Sequence, residues 1–116
     1  MMHSTKLQQP LLIFSNVPDK ETAARIAREL VDSHAAACVN ILPGIHSVYR
    51  WEGKTEEAAE ISLLVKSTAD RYDEIEAMIK RLHPYDMPEI IALSVTDGLP
   101  AYLQWLVTET RKNVDV

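Results

Sequence analysis

Residues 36–67 read AACVNILPGIHSVYRWEGKTEEAAEISLLVKS and predict a long β-ribbon that turns back at Glu52-Gly53. Both arms are rich in valine, isoleucine, leucine and aromatic residues, which suit a half-buried pleated surface. Gly53 reaches positive φ without steric cost, so it is the expected reversal point. An arm of about 15 residues is about 50 Å long, far above the usual strand of about 5 to 6 residues. The ribbon therefore projects beyond the core or bends, and Pro43-Gly44 is the expected bend.

A projecting ribbon exposes the apolar and aromatic side chains Val48, Tyr49 and Trp51, together with open strand edges. Soluble proteins usually cover such edges and such apolar surface. A second copy of the same chain is the simplest cover, so the sequence predicts a homo-oligomer. Tyr49, Trp51, Tyr85 and Trp105 then either pack in the core and at subunit interfaces, or line a pocket for a small ligand at the subunit boundaries.

The composition indicates one folded domain and excludes several classes of partner. The chain has 116 residues, of which 47% are apolar and 25% charged, which suits a single core. A net charge of −5 gives no electrostatic footprint for nucleic acid or an anionic membrane. No apolar run approaches the roughly 18 residues of a membrane span, and the first ten residues lack the apolar segment of a signal peptide. The single cysteine, Cys38, forms no intramolecular disulfide, so a cytoplasmic location is expected.

Hydrophobic periodicity predicts the rest of the elements. Apolar runs predict strands at residues 11–15 and 90–95. Helical spacing predicts one helix capped by Asp19 and ending near Ser33-His34, a second over residues 72–82 that Pro84 ends, and a third from Pro100. The order β-α-β-β-α-β with an extra C-terminal helix predicts an α+β, ferredoxin-like sandwich. Two helices then cover one face of the sheet, and nothing in the chain covers the other, which again favours partner subunits.

The predicted organisation is one domain with two short extensions. Residues 1–10 are expected to form a flexible lead-in, residues 11–110 a single ferredoxin-like domain, and residues 111–116 a polar tail. We find no repeat, low-complexity segment or linker in the sequence.

From Leu11 to Thr110 the chain resembles one known family, CutA, the divalent-cation tolerance proteins. The likeness rests on several short segments in a fixed order rather than on any single one. They are Ala36 to Asn40, Pro43-Gly44, Tyr49 to Lys54, Lys66-Ser67-Thr68, His83-Pro84-Tyr85, Pro88-Glu89 and the group Tyr102, Leu103 and Trp105. The resemblance implies a trimer of ferredoxin-like subunits held by long hairpins, similar in architecture to PII signalling proteins. It also implies a link to copper and other divalent cations. We expect that folding requires none of them.

His83 is the best candidate metal ligand, and Glu89 is the expected second one. An imidazole held between a helix end and Pro84 is rigid, and neutral imidazole suits copper or zinc. The alternative is that His83 caps the helix C-terminus. Copper-binding members of the family present a cysteine on the first strand and two adjacent histidines before the Pro-Tyr dipeptide. This chain has Ser15 and Leu82-His83 there, so it departs from that ligand set.

The other reactive side chains have structural and functional interpretations. Cys38 is expected to be a small buried residue near the interface; a thiolate would need a nearby positive charge that its sequence neighbours do not supply. Glu56, Glu57 and Glu60 predict a solvated face of the ribbon rather than a carboxylate metal site.

Three functions are open at this point, and the first is favoured. It is a cytoplasmic, non-enzymatic homotrimer of divalent-cation tolerance, because the sequence contains no phosphate-binding loop, zinc spacing or nucleophile with an evident base. The second is a PII-like sensor that binds a small metabolite in clefts between subunits. The third is a hydrolase or acyl-transfer enzyme that uses Cys38 or the pair His83 and Glu89.

Overall fold

A four-stranded antiparallel sheet in the order β2-β3-β1-β4 is the frame of the computed structural model, which describes residues 8–112. The strands are β1 (Pro10–Val17), β2 (Cys38–Trp51), β3 (Lys54–Thr68) and β4 (Ile91–Ser94). The helices are α1 (Lys20–Asp32), α2 (Tyr72–Leu82) and α3 (Pro100–Glu109), and a 3-10 turn at Ala69–Arg71 leads into α2. The predicted ferredoxin-like βαββαβ sandwich with an additional C-terminal helix is confirmed.

Two amphipathic helices bury one face of this sheet. Asp19 begins α1 by accepting a hydrogen bond from the Thr22 backbone N–H at 2.8 Å, and this bond lowers the pKa of the Asp19 carboxyl. Helices α1 and α2 then pack their apolar stripes against the inward side chains of β1 and β3. The fully buried members are Ile13, Val17, Ala23, Ile26, Leu30, Leu63, Val65, Ile75 and Ile79.

The opposite side of the sheet, which we call the open face, carries the alternate side chains. The strand register assigns to it Leu12, Phe14, Asn16, Cys38, Asn40, Leu42, Ser62, Leu64, Lys66, Ile91 and Leu93. The expectation that nothing in the chain covers this face is wrong in one corner. Helix α3 reaches it, since the Lys66 ammonium lies 5.9 Å from the centre of the Tyr102 ring and Thr110 contacts Thr68. Ile91 and Leu93 remain more than half exposed.

The long ribbon has both of the predicted features. Glu52 and Gly53 form a two-residue turn with φ of 49° and 80°, the positive-φ pair of a type I′ hairpin. A bulge separates the pairs Leu42–Ser62 and Ile45–Glu60, and Gly44 within it has φ of 79°. Two residues of β2 there oppose one residue of β3, so the side-chain alternation of β2 shifts by one. As a result Tyr49 and Trp51 continue the open face along the ribbon, and the molecule extends to 51 Å.

The domain begins slightly earlier than predicted. Strand β1 starts at Pro10, and Gln9 is tied to the fold because its side chain donates to the Val95 carbonyl at 2.8 Å and its own carbonyl accepts from Ala69 at 2.9 Å. The last two residues of the predicted lead-in are therefore part of the domain. Residues 1–7 of the lead-in and residues 113–116 of the predicted tail lie outside the described part of the chain.

Arg71 joins the end of α1 to the start of α2. Its guanidinium donates to the carbonyls of Ser33 at 3.1 Å and His34 at 3.3 Å, and it contacts the Glu74 carboxylate at 2.7 Å. His34 adopts φ of 65°, a conformation that is rare for residues other than glycine, and its ring Nδ1 donates to the Glu109 carbonyl at 3.0 Å. The buried arginine thus stabilises the carbonyl end of α1, which lacks a basic residue in its last turn.

Candidate functional site

The loop between α2 and β4 passes over the end of β1 and reaches the base of the ribbon. It begins at His83, where Pro84 prevents the helix from continuing. Its polar side chains meet those of β1 and β3 in one hydrogen-bonded group, which we call the β1-end network. The members are Asn16, Glu60, Ser62, His83, Tyr85 and Glu89.

His83 is buried, at 7% exposed, and both of its ring nitrogens are engaged. Nε2 lies 2.6 Å from the backbone carbonyl of Asn16, and Nδ1 lies 3.1 Å from the backbone N–H of Tyr85. A carbonyl accepts only and an N–H donates only, so Nε2 carries the proton and Nδ1 accepts. The ring is therefore the neutral Nε2–H tautomer. The backbone of His83 does occupy the C-cap of α2, but its side chain braces the loop against β1 instead of binding the helix carbonyls.

Asn16 connects Glu89 to the ribbon. Its side-chain amide donates to the Glu89 carboxylate at 3.1 Å, and its side-chain oxygen accepts from the Ser62 hydroxyl at 2.6 Å. His83 and Glu89, the two predicted ligands, are thus both bonded to Asn16, through its backbone and its side chain respectively. The structure brings the pair into one network, with a residue between them that sequence reasoning did not single out.

Tyr85 links the loop to a carboxylate at the base of the ribbon. Its hydroxyl donates to Glu60 at 3.1 Å, and its ring lies 4.7 Å from the His83 ring, centre to centre. The pKa of Tyr85 is raised above its usual value of 10.0. Partial burial of the phenol is the larger cause, and the hydrogen bond to Glu60 is the second. Glu60 is 9% exposed, so the prediction that it lies on a solvated face is wrong, whereas Glu56 and Glu57 are exposed as predicted.

The side chains at the family's copper positions do not form a metal site in this arrangement. Ser15 is fully buried on the helix side of β1, and its hydroxyl has no hydrogen-bond partner among the described residues, His83 included. A hydroxyl is a poor ligand for soft or borderline metals, and Leu82 has no donor atom. Within residues 8–112, no three histidine, cysteine, aspartate or glutamate side chains are grouped closely enough to hold a metal ion.

Cys38 lies opposite Lys66, a residue distant from it in the sequence. The register pairs Cys38 with Lys66 across β2 and β3, so both side chains stand on the open face. Cys38 is half-buried and forms no disulfide. It is thus less buried than expected, and the positive charge that its own stretch of sequence lacks comes from the neighbouring strand.

The four predicted aromatic residues are spread over three elements. Tyr49 and Trp51 lie on the ribbon, Tyr85 in the loop and Trp105 on α3. All four are more than a third exposed, and among the described residues no ring contact joins any two of them. Trp105 pairs instead with Tyr102 at 5.4 Å. A groove of about 530 Å³ on the open face is lined by other residues, Lys66 and Tyr102 among them. Within one subunit these four aromatics do not form a pocket.

Sequence reasoning missed Asn16 and Glu60, the two residues that join the loop to the sheet. Asn16 had one available signal, since it is a polar residue at the end of an apolar strand. Glu60 had none, because its burial arises from a loop 25 residues further along the chain.

These features define a class of protein: a ferredoxin-like α+β domain with an open apolar sheet face and a projecting ribbon. Residues 11–109 match the CutA1 family, whose description is "CutA1 divalent ion tolerance protein". The chain therefore belongs to this family. The family is named for metal tolerance and not for a reaction.

Relatives and solved structures support the assignment over nearly the whole chain. The divalent-cation tolerance protein CutA of Thermus thermophilus is 44% identical over 99 residues, 85% of this chain and 96% of that protein. The crystal structure of CutA from Xylella fastidiosa is 47% identical and superposes with a TM-score of 0.85 over 88% of this chain and 98% of that chain. The crystal structure of CutA1 from Oryza sativa gives 0.87 at 39% identity, over 94% of this chain and 100% of that chain.

Members of the family are described from different compartments. The Oryza sativa protein named as chloroplastic is 42% identical over 97% of this chain, which spans only 64% of that protein's length. A structure from Archaeoglobus fulgidus is described as a periplasmic divalent cation tolerance protein. In the described part of this chain, no helix has the length and apolar character that crossing a membrane requires. The cytoplasmic location stays a prediction.

Proposed function

We propose that the chain is a non-enzymatic homotrimer that takes part in divalent-cation tolerance. The observation that carries the proposal is the uncovered apolar surface that runs from the open face onto the ribbon. Leu93 is 54% exposed, Tyr49 44% and Trp51 43%, and all three stand on this one surface within a folded domain of this family. Apolar surface of this extent is typical of an interface. Strand β2, 14 residues long, also forms an edge of the sheet, and soluble proteins cover or blunt such edges.

The assembly is tested by sedimentation of the purified protein and of the double variant Tyr49→Ser, Trp51→Ser. We expect a trimer for the unchanged chain and smaller species for the variant, because both aromatic rings stand on the ribbon's continuation of the open face. Val31→Ser is the matched control, since Val31 is an exposed apolar residue on α1, on the other side of the sheet. A trimer that survives the double variant would contradict the role of the ribbon.

The part in metal tolerance is tested in cells. A strain that lacks the gene should grow less well than its parent as copper in the medium rises, and the unchanged chain should restore growth. Equal growth of the two strains over the copper range would remove this part of the proposal.

Copper ligation by His83 and Glu89 stays a prediction. As placed, both side chains hold hydrogen bonds within the β1-end network. The alternative, a PII-like sensor of a small metabolite, has no support in the names of the relatives. The aromatic residues expected to form its pocket lie apart within the subunit.

A further inference from the structure

We infer that the β1-end network of this chain is a closed structural brace and not a metal site, with His83 as the residue that positions Tyr85 on Glu60. The family link to divalent cations makes a ligand role for His83 the natural expectation. The donor and acceptor chemistry of the ring opposes that role.

A metal binds imidazole through a nitrogen lone pair. In His83 the Nδ1 lone pair accepts the Tyr85 N–H, and Nε2 bears the proton that is donated to the Asn16 carbonyl at 2.6 Å. Binding at Nδ1 would leave the Tyr85 N–H without its acceptor. Binding at Nε2 would displace the proton and set the cation against a carbonyl already 2.6 Å away. Either route breaks a hydrogen bond of a side chain that is 93% enclosed, since His83 is 7% exposed.

The side chains that would have to complete a metal site are also unsuited. Glu89 keeps free acceptor positions but is a single exposed carboxylate held by Asn16. The Ser15 hydroxyl is enclosed without a hydrogen-bond partner among residues 8–112, and a hydroxyl is a poor ligand for copper or zinc. One carboxylate and one blocked imidazole do not make a site for copper or zinc.

The two hydrogen bonds of the His83 ring position the loop that follows it. They fix the backbone at Tyr85 relative to the end of β1, and the Tyr85 hydroxyl then reaches Glu60. Glu60 directly precedes Ile61, the first residue of β3 that pairs with β1. The brace therefore connects the core to the ribbon at the point where β1 stops supporting it.

The first test reads the His83 ring directly in the unchanged protein. With histidine nitrogens labelled for NMR, we expect Nδ1 without a proton and Nε2 with one. Addition of zinc chloride up to several equivalents should leave both resonances in place. The exposed His34 and His46 report non-specific binding in the same sample. A protonated Nδ1, or a zinc-dependent shift of His83 before the exposed rings respond, would overturn the inference.

The second test separates positioning from ligation. Copper titrated calorimetrically into the unchanged protein and into His83→Gln should give the same binding curve, since glutamine can keep the donor toward Asn16. Loss of binding in His83→Gln alone would restore the ligand role. The pH titration of Tyr85, taken as the absorbance difference from Tyr85→Phe, should move toward the usual value in His83→Ala and back in His83→Asn, which keeps the acceptor for Tyr85. No movement in His83→Ala would refute the positioning role.

These outcomes are independent of the proposed trimer, whose size is measured by sedimentation. A trimer whose His83 resonances shift with zinc would refute only the brace. A monomer whose His83 resonances do not shift with zinc would refute only the assembly.

Discussion

Arg71 offers the sharpest test of how the two helices are held together. Arg71→Met removes the guanidinium that bonds the Ser33 and His34 carbonyls and the Glu74 carboxylate, and it keeps an apolar stem of similar length. The arginine side chain is 9% exposed, so these contacts are made largely out of water.

The expected loss follows from the burial of each partner. Hydrogen bonds that involve a charged group contribute roughly 1.5 to 3 kcal/mol each. The carbonyls belong to the exposed residues Ser33 and His34, and the Glu74 side chain is 44% exposed, so all three acceptors regain water in the variant. The free energy of unfolding should therefore fall by about 2 to 4 kcal/mol, below the roughly 5 kcal/mol upper figure for a fully buried pair. For a domain of this size that is a fall in Tm of about 10 to 20 °C.

The assay is thermal unfolding followed by circular dichroism at one fixed protein concentration, because association makes Tm depend on concentration. Arg81→Met is the matched control, since Arg81 pairs with Glu29 at 3.2 Å on the surface with 60% of its side chain exposed. That change should lower the stability by no more than about 0.5 kcal/mol. If Arg71→Met lowers Tm no further than Arg81→Met does, the buried guanidinium does not hold the end of α1.

Three further perturbations test the turn, the core and the loop. Gly53→Ala should lower the free energy of unfolding, measured by urea unfolding, by about 1 kcal/mol or more, because φ of 80° disfavours alanine while no atom of residues 8–112 lies within 4 Å of the added carbon; an unchanged free energy of unfolding would contradict the turn. Ser15→Ala should raise Tm, because it removes an enclosed hydroxyl without a partner, whereas Ser62→Ala removes a bonded one and should lower it; the reverse order would mean that Ser15 is bonded. The pKa of Tyr85 is raised in the folded state, so its contribution to stability is complete below pH 10 and declines as pH rises further. Tyr85→Phe should therefore lose less stability than the unchanged chain between neutral pH and pH 11, as measured by urea unfolding; equal losses would refute the raised pKa that burial of the phenol and the bond to Glu60 produce.

The fold was accessible from the sequence because its signals are local. The Glu52-Gly53 reversal, the Pro43-Gly44 bulge and the Asp19 cap each follow from the conformation or hydrogen bonding of one or two residues. Helical and strand periodicities supplied the order of the elements. The corner of the open face covered by α3 was not predictable in this way, since α3 meets the sheet through contacts such as Lys66 with Tyr102 that no pattern specifies.

The site was predicted less well because its contacts join distant residues. His83 was singled out correctly as unusual, but its role depends on the carbonyl of Asn16, 67 residues earlier. The burial of Glu60 likewise depends on Tyr85. A residue type restricts the chemistry that a side chain can perform, and only its neighbours decide which part of that chemistry is available.

The bulge at Pro43-Gly44 limits how this ribbon can vary in length among related proteins. A single residue added to or removed from β2 between the bulge and Tyr49 would rotate Tyr49 and Trp51 to the opposite side, because side chains alternate along a strand. Tolerated insertions should then add two residues to each arm, four in all, and lengthen the ribbon by about 7 Å per step. Natural variation in ribbon length, and any engineered extension, should proceed in such steps.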